Sequence, residues 1–168
     1  LGLPEPLDLP FDFKRSKHRN FEGKVETLHL DHELSLSIRQ AINKQSSTLF
    51  VYLQTAFSWL LAKHSSQLDF CFGSSVANRQ RPELSTMVGP LLNTLVLRHR
   101  INPDDNFKQA LDGFKLTASD AFEHQDYPYE YLAKLTTESE QEHNQNEQLF
   151  RVMFIHVGLA NDEQIQLG

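Results

Sequence analysis

The run DFCFGSSVANRQRPELSTMVGPLLNTLVLRHR, from Asp69 to Arg100, decides how the rest of the chain is read. In its first part Phe70 and Phe72 fall at period two, with Cys71 and Gly73 between them, which is the spacing of a strand. Its last part carries Leu95, Val96 and Leu97 without interruption before Arg98 and Arg100, as expected of a strand buried on both faces along most of its length. Between the two lies a polar turn, and Gly89 with Pro90 sets the bend before the second strand. The stretch therefore reads as a hairpin-like core.

Working outward, Leu1 to Gly23 holds Pro4, Pro6 and Pro10, then Lys14, Arg15, Lys17 and Arg19, a composition that resists helix and sheet alike and reads as an extended surface linker. Lys24 to Leu30 alternates Val25, Thr27 and His29 against Glu26, Leu28 and Leu30, the pattern of a strand with one buried face. Leu34, Ile38 and Ile42 recur every fourth residue and predict an amphipathic helix ending near Gln45. Thr48 is suited to cap the next helix, Leu49 to Lys63, which is apolar almost all round and so expected in the core. Beyond the hairpin, Asn106 and Gln109 have capping-box spacing, and Phe107, Leu111, Phe114, Ala118, Ala121 and Phe122 line one helical face to about His124. Pro128 is placed to open a further helix. Glu138 to Gln148 is acid-rich and reads as a loop, whereas Phe150 to Val157 is nearly all apolar and reads as a central strand. The order is β-α-α-β-β-α-α-β, an α/β layered sandwich with helices packed on a mixed sheet.

The 168 residues suffice for one domain with a sizeable core. A net charge of -6 argues against a nucleic-acid backbone or an anionic membrane as partner. Cys71 is the only cysteine, so no internal disulfide forms; it reads as a small buried hydrophobe, and a reducing cytoplasm fits. The longest apolar stretch, TLFVYLQTAFSWLLA, falls short of the ~20 residues of a membrane span and contains Gln54 and Ser58. Opening at Leu1 and closing at Gly168 in mid-pattern, the chain reads as a piece of a longer polypeptide.

Gly73 to Arg98, GSSVANRQRPELSTMVGPLLNTLVLR, resembles the segment GTPVANRxRPELxxxIGFFVNTLVLR of the condensation domains of nonribosomal peptide synthetases, members of the chloramphenicol-acetyltransferase-like superfamily. Ala77, Asn78, Arg79, Arg81, Pro82, Glu83, Leu84, Gly89 and Asn93 to Arg98 match position for position. HQDYPYE, His124 to Glu130, resembles the family's HQDVPFE, and the strand around Phe150 resembles its LFQVMF, although EHNQNEQLF lacks the arginine-aspartate and the proline usual upstream. The family's catalytic HHxxxDG is not in this chain; Phe107 to Gly113, FKQALDG, shares only the Asp-Gly and belongs to an amphipathic helix. That signature lies in the family's amino-terminal lobe. The resemblance therefore implies a carboxy-terminal lobe alone, a chloramphenicol-acetyltransferase-like half-domain over residues 24–168, with 1–23 as an interlobe linker. The activity it implies is amide formation between acyl groups held as thioesters on the phosphopantetheine arms of carrier proteins, with no cofactor bound directly and no turnover by this piece alone. The implied partners are the amino-terminal lobe, peptidyl carrier proteins and an adenylation domain. Exposed apolar surface at the lobe interface would favour self-association. An epimerisation or heterocyclisation relative, or a non-catalytic binding or scaffold module of the same fold, is the alternative.

Asn93 is the leading site residue. Left unpaired in a buried strand its amide would cost on the order of 1 to 3 kcal/mol. Either it bonds the Gly89-Pro90 turn, or, as the resemblance implies, it faces the substrate tunnel, with Ser74 a weaker candidate for the same wall. Arg79 is either an anchor for the turn or a contact across the lobes, and Gly89 gives the bend. His124 and Asp126 are read as fixing a junction between helices rather than moving protons. His29 and His32 have a metal-like spacing without a completing ligand, so no metal site is expected. Ser119 and His124, five apart on a helix, do not face each other and make no triad with Asp126.

Overall fold

The computed structural model describes residues 2–13, 23–139 and 149–157. The hairpin forms as its pattern requires. Strand β1, Asp69–Val76, pairs antiparallel with β2, Asn93–Arg100, in a register that sets Phe70 opposite His99, Phe72 opposite Leu97 and Ser74 opposite Leu95. Directly opposed residues point to one face. Phe70, Phe72, Ser74, Val76, Leu95, Leu97 and His99 thus make a continuous buried surface. On the opposite face Thr94, Val96 and Arg98 are only half-covered, so β2 is buried on one side and not on both. There Gly73 meets the Phe150 ring so closely that an added Cβ would lie 2.4 Å from it, which is why glycine stands at that position.

Four helices complete the described fold. Helix α1, His32–Lys44, is capped by the Asp31 carboxylate, which accepts from Leu34 N–H; α2, Leu49–Ser65, is capped by Thr48 as expected. Helix α3, Phe107–Glu123, opens on the full capping box of Asn106 and Gln109, and α4, Tyr129–Ser139, begins directly after Pro128. Helices α2 and α3 cover the buried face of the sheet, joining Val51, Leu95, Leu97, Leu111, Phe114 and Ala118 in one cluster. A second cluster gathers Leu61, Ala62, Phe70 and Phe72 around Leu7 of the proline-rich segment, only 2% exposed. The Gln67 side chain fastens that segment further, accepting from Asp8 N–H at 2.6 Å and donating to Pro6 O. Arg98 forks onto Asp69 and also donates to Gly2 O.

Two expected strands change. Lys24 to Leu30 forms no strand and stands in the open, Val25 87% and Leu28 86% exposed, because no edge among the described residues is paired with it. Phe150 to Val157 supplies only β3, Val152–Met153, parallel to β1 at the edge of a sheet ordered β2-β1-β3, rather than a central strand. The acid-rich loop starts later than read, since α4 runs on to Ser139; residues 140–148, the basic cluster at 14–22 and the tail at 158–168 lie outside the described residues. Helix α2 buries Val51, Gln54, Thr55, Ser58, Leu61 and Ala62 while Leu49 and Leu60 face outward, so its buried stripe is half polar, and Val51, Leu61 and Ala62 are the members clustered with sheet residues. Cys71 is buried, and burial pushes its thiol up to about 11, which keeps it protonated and inert.

Leu97, fully buried between sheet and helices, has no room to relax around a cavity, and Leu97→Ala is expected to cost about 2 to 5 kcal/mol in urea unfolding. His99, 4% exposed and stacked 4.1 Å from the Phe114 ring, is pushed down to about 3 by burial. The unfolded chain then binds more protons than the folded one below the ordinary histidine value of 6.5, so stability falls as pH drops from 6.5 towards 3, by up to about 1.4 kcal/mol per pH unit. Asp69, lowered chiefly by its hydrogen bond from Arg98, acts in the same direction at lower pH. Unfolding at pH 7, 5.5 and 4.5 should show this loss in the parent and a flatter profile in His99→Phe; equal slopes would remove His99 as the cause.

Candidate functional site

Where β1 leaves the sheet, Asn78 takes a left-handed conformation, φ 50°, which asparagine tolerates better than most residues. The next residue, Arg79, turns its guanidinium back into the loop it opens. Its Nη1 donates to Leu84 O at 2.5 Å and Met87 O at 2.7 Å, and its Nη2 to Gly89 O at 3.2 Å. One planar cation thus gathers the carbonyls of a loop that contains a single short 3-10 turn, Pro82–Leu84. Arg79 anchors the turn, and Gly89 takes part through its carbonyl. The loop carries Met87, Val88 and Leu92 outward, all exposed.

The loop returns to the sheet at Asn93, whose amide is held by the junction between α3 and α4 and not by the Gly89-Pro90 turn. Its Nδ2 donates to Gln125 O at 2.7 Å and Tyr127 O at 2.8 Å, while its Oδ1 accepts from Tyr129 N–H at 3.2 Å. Asn93 therefore ties the start of β2 to the start of α4. His124 lies at the end of α3 with Nδ1 donating to Asp120 O at 2.8 Å, which assigns its tautomer to helix capping. Asp126 is exposed and borders a cleft of about 210 Å³ with Asn78, Asn93 and Tyr129. Gln125, between them, is buried and donates its Nε2 to Phe122 O.

On the other side of Gln125 opens a larger cleft of about 540 Å³ between the end of β1, the start of α2 and the end of α3. Ser74, 2% exposed, borders it, with Ser75, Phe50, Phe122, Gln125 and His156. Asn93 borders the smaller cleft and Ser74 the larger, and Asn78 lines both. Among the described residues, no carboxylate lines the larger cleft, and its one formal cation, Arg79, is already bound to main-chain oxygens. Such a surface can bind and orient through shape and hydrogen bonds. It offers no acid-base pair of its own.

The other constellations do not assemble. Leu111 of FKQALDG is fully buried, and Asp112 is bound by Lys108 and Lys115, whose hydrogen bonds hold its carboxyl below the usual range. His29 and His32 are exposed, and among the described residues no group of three or more His, Cys, Asp or Glu is placed to hold a metal ion. No helix of the described residues is long and apolar enough to cross a membrane. Gln125 and His156 were missed by the residue-by-residue reading; Gln125 could have been suspected as an amide inside the HQDYPYE match, but nothing in the sequence pointed to His156.

A family model described as the condensation domain matches residues 2–166. Tyrocidine synthase 2 of Brevibacillus parabrevis is 39% identical over 158 residues, which is 94% of this chain and 4% of that protein. Phosphinothricin tripeptide synthetase of Streptomyces viridochromogenes is 36% identical over 155 residues, 92% of this chain and 14% of that protein. The chain thus spans only a small fraction of the curated relatives it matches. Among solved structures, the condensation domain from Monacolin K polyketide synthase is 28% identical with a TM-score of 0.61, over 64% of this chain and 24% of that one. The X-domain from teicoplanin biosynthesis superposes with a TM-score of 0.79 over 90% of this chain and 33% of that one; at 20% identity this is a likeness of fold. A whole-length family match, these synthetase relatives and a fold of helices on a mixed sheet agree: the chain belongs to the condensation-domain family of nonribosomal peptide synthetases.

Proposed function

We propose that the chain is the carboxy-terminal lobe of a condensation domain, residues 24–168 with 1–23 as interlobe linker, and that it forms one wall of the passage where two carrier-tethered groups are joined. The observation that carries this reading is the cleft bordered by Ser74 and Gln125, which is shaped by the two stretches that resemble the family and holds no acid-base pair. A wall of that kind contributes by positioning, and holding two reactants together is worth several kcal/mol. In the reaction the amine nitrogen of one carrier-bound aminoacyl group attacks the thioester carbonyl of the other. The C–N bond forms, the C–S bond breaks, and the amine proton passes to the departing phosphopantetheine thiol. The histidine-bearing amino-terminal lobe supplies the acid-base chemistry, and carrier proteins and an adenylation domain are the remaining partners.

Surface composition supports a covering lobe. Val25, Leu28 and Leu30 before α1, Met87 and Val88 on the loop, and Ile155 and Val157 beyond β3 are all exposed, apolar and β-prone or bulky. They are suited to cover and be covered by a second lobe, and in an isolated chain they are a basis for self-association. A scaffold module of the same fold is the second reading, favoured by the lack of a carboxylate among the described residues that line the larger cleft.

Turnover separates the two. The natural polypeptide containing this chain, given two loaded carriers, should form the amide, and the 168-residue chain alone should not; amide from the chain alone sinks the half-domain reading, and none from the natural polypeptide favours the scaffold. Asn93→Ala removes the brace between β2 and α4 and is expected to lower stability by about 1 to 3 kcal/mol. Asn93→Asp should be no milder, because a carboxylate would face the Gln125 and Tyr127 carbonyls with no proton to donate; a near-neutral Asn93→Asp in chemical denaturation would contradict the donor assignment.

A further inference from the structure

The proline-rich segment before Lys24 is read as a linker, yet residues 2–9 are built into the lobe. Pro4, Pro6, Leu7 and Leu9 are covered at least in part, while Glu5 and Asp8 face outward. Leu7, 2% exposed, lies among Leu61 and Ala62 of α2 and Phe70 and Phe72 of β1, and Leu9 packs against the same cluster. A leucine buried to this extent contributes as a core residue, which a chain merely passing over a surface does not.

Directional bonds fix the segment around that anchor. Gln67, between α2 and β1, accepts from Asp8 N–H at 2.6 Å and donates to Pro6 O at 3.3 Å, so one side chain clasps the main chain on both sides of Leu7. Arg98 of β2 donates to Gly2 O at 2.9 Å. The pair between Asp8 and Arg151, 3.7 Å apart and largely in water, adds little. Pro4 and Pro6 restrict φ to about −65° and carry no N–H, which lowers the entropy lost on docking and leaves fewer main-chain groups to satisfy. Because residues 2–9 are held in this way, slack between two lobes cannot come from them. The point of attachment is set instead by α2, β1 and β2, the elements that also contribute Phe50, Ser74 and Asn93 to the two clefts. A misplacement of about 1 Å is enough to cost on the order of a hundredfold in rate.

We infer that residues 2–9 are a strap belonging to this lobe, and that Leu7 and Gln67 are positioning residues for condensation, because they fix where the amino-terminal lobe joins it. The inference rests on the reading of the chain as a carboxy-terminal lobe preceded by its interlobe linker.

Hydrogen exchange read by mass spectrometry on the natural polypeptide containing this chain tests the docking, and amide formation from two loaded carriers tests the positioning. The peptide that carries Asp8 should exchange about tenfold or more slowly than the unfolded chain; Gln67→Ala and Leu7→Ala should remove most of that protection while peptides from β1 and β2 keep theirs. In the same two variants kcat should fall about fivefold or more with KM for each carrier within about twofold, and Leu7→Met, of similar volume, should stay within about twofold of the parent throughout. Free exchange of the Asp8 peptide in the parent overturns the strap. An unchanged kcat in variants that have lost this protection overturns the positioning role and leaves the condensation reading standing. So does a loss of protection in β1 that parallels the fall in kcat, which makes the effect one of folding. Absence of amide from the parent removes the condensation reading and the positioning role with it, whereas the protection of the Asp8 peptide still decides the strap.

Discussion

The antiparallel pairing of β1 with β2 is the constraint on which the rest depends. Its register places Phe70, Phe72, Leu95 and Leu97 on one face, and a slip of one residue would turn that whole set outward. Once the face is set, α2 and α3 have one place to bury their stripes. The ends of the same two strands then position much of the candidate site: Ser74 near the end of β1, the Arg79 loop that joins them, and Asn93 at the start of β2. At the other end of the hairpin, Arg98 donates diagonally across the pair to Asp69 and also to Gly2 O, so the proline-rich segment is fixed by the same register.

Polar groups, more than apolar ones, locate the site within this frame. Apolar burial is non-directional and would accept several loop paths between β1 and β2. Arg79 and Asn93 are directional. The first converts three loop carbonyls into acceptors for one fork of donors; the second satisfies two carbonyls and one N–H where α3 hands over to α4. Losing either partner leaves main-chain groups short of a hydrogen bond, which explains why the two stretches that resemble the family, one around Arg79 and Asn93 and one from His124 to Glu130, meet in space. They form one hydrogen-bonded unit.

How much of this was legible depends on what kind of signal each residue left. Caps and amphipathic faces are local, so Thr48, the Asn106 box and the Leu111–Phe114–Ala118 stripe were read correctly from spacing alone. Strands are not local. The alternation in Lys24 to Leu30 reports that a face is apolar and says nothing about which edge it would pair with, and the apolar run after Phe150 reads as central although only two of its residues join β1. Helix α2 failed differently: a segment apolar all round has no preferred stripe, so the sheet selected the face. Thr55, Ser58 and Ala62 are small and buried, Ala62 in the cluster that holds Phe70 and Phe72, and the two hydroxyls are satisfied by Val51 O and Thr55 O of their own helix. The partner of Asn93 was missed because Gln125 and Tyr127 lie over thirty residues away, and such a pairing leaves no periodic trace.

A cleft with no carboxylate among its described lining residues is consistent with a member of a catalytic family when the chemistry is divided between two surfaces. In the proposed reaction the amine and the thioester are both tethered, so it would need a narrow meeting place as much as a proton acceptor, and narrowness requires a rigid wall. Rigidity here comes from β1 buried along most of its length and from side chains whose hydrogen bonds are already spent within the fold. Arg79 and Asn93, whose donors are already taken by main-chain carbonyls, cannot also donate protons at the reacting atoms. The exposed apolar residues on Lys24 to Leu30, the Arg79 loop and the chain beyond β3 complete the division: such apolar surface is suited to being closed over by another protein surface.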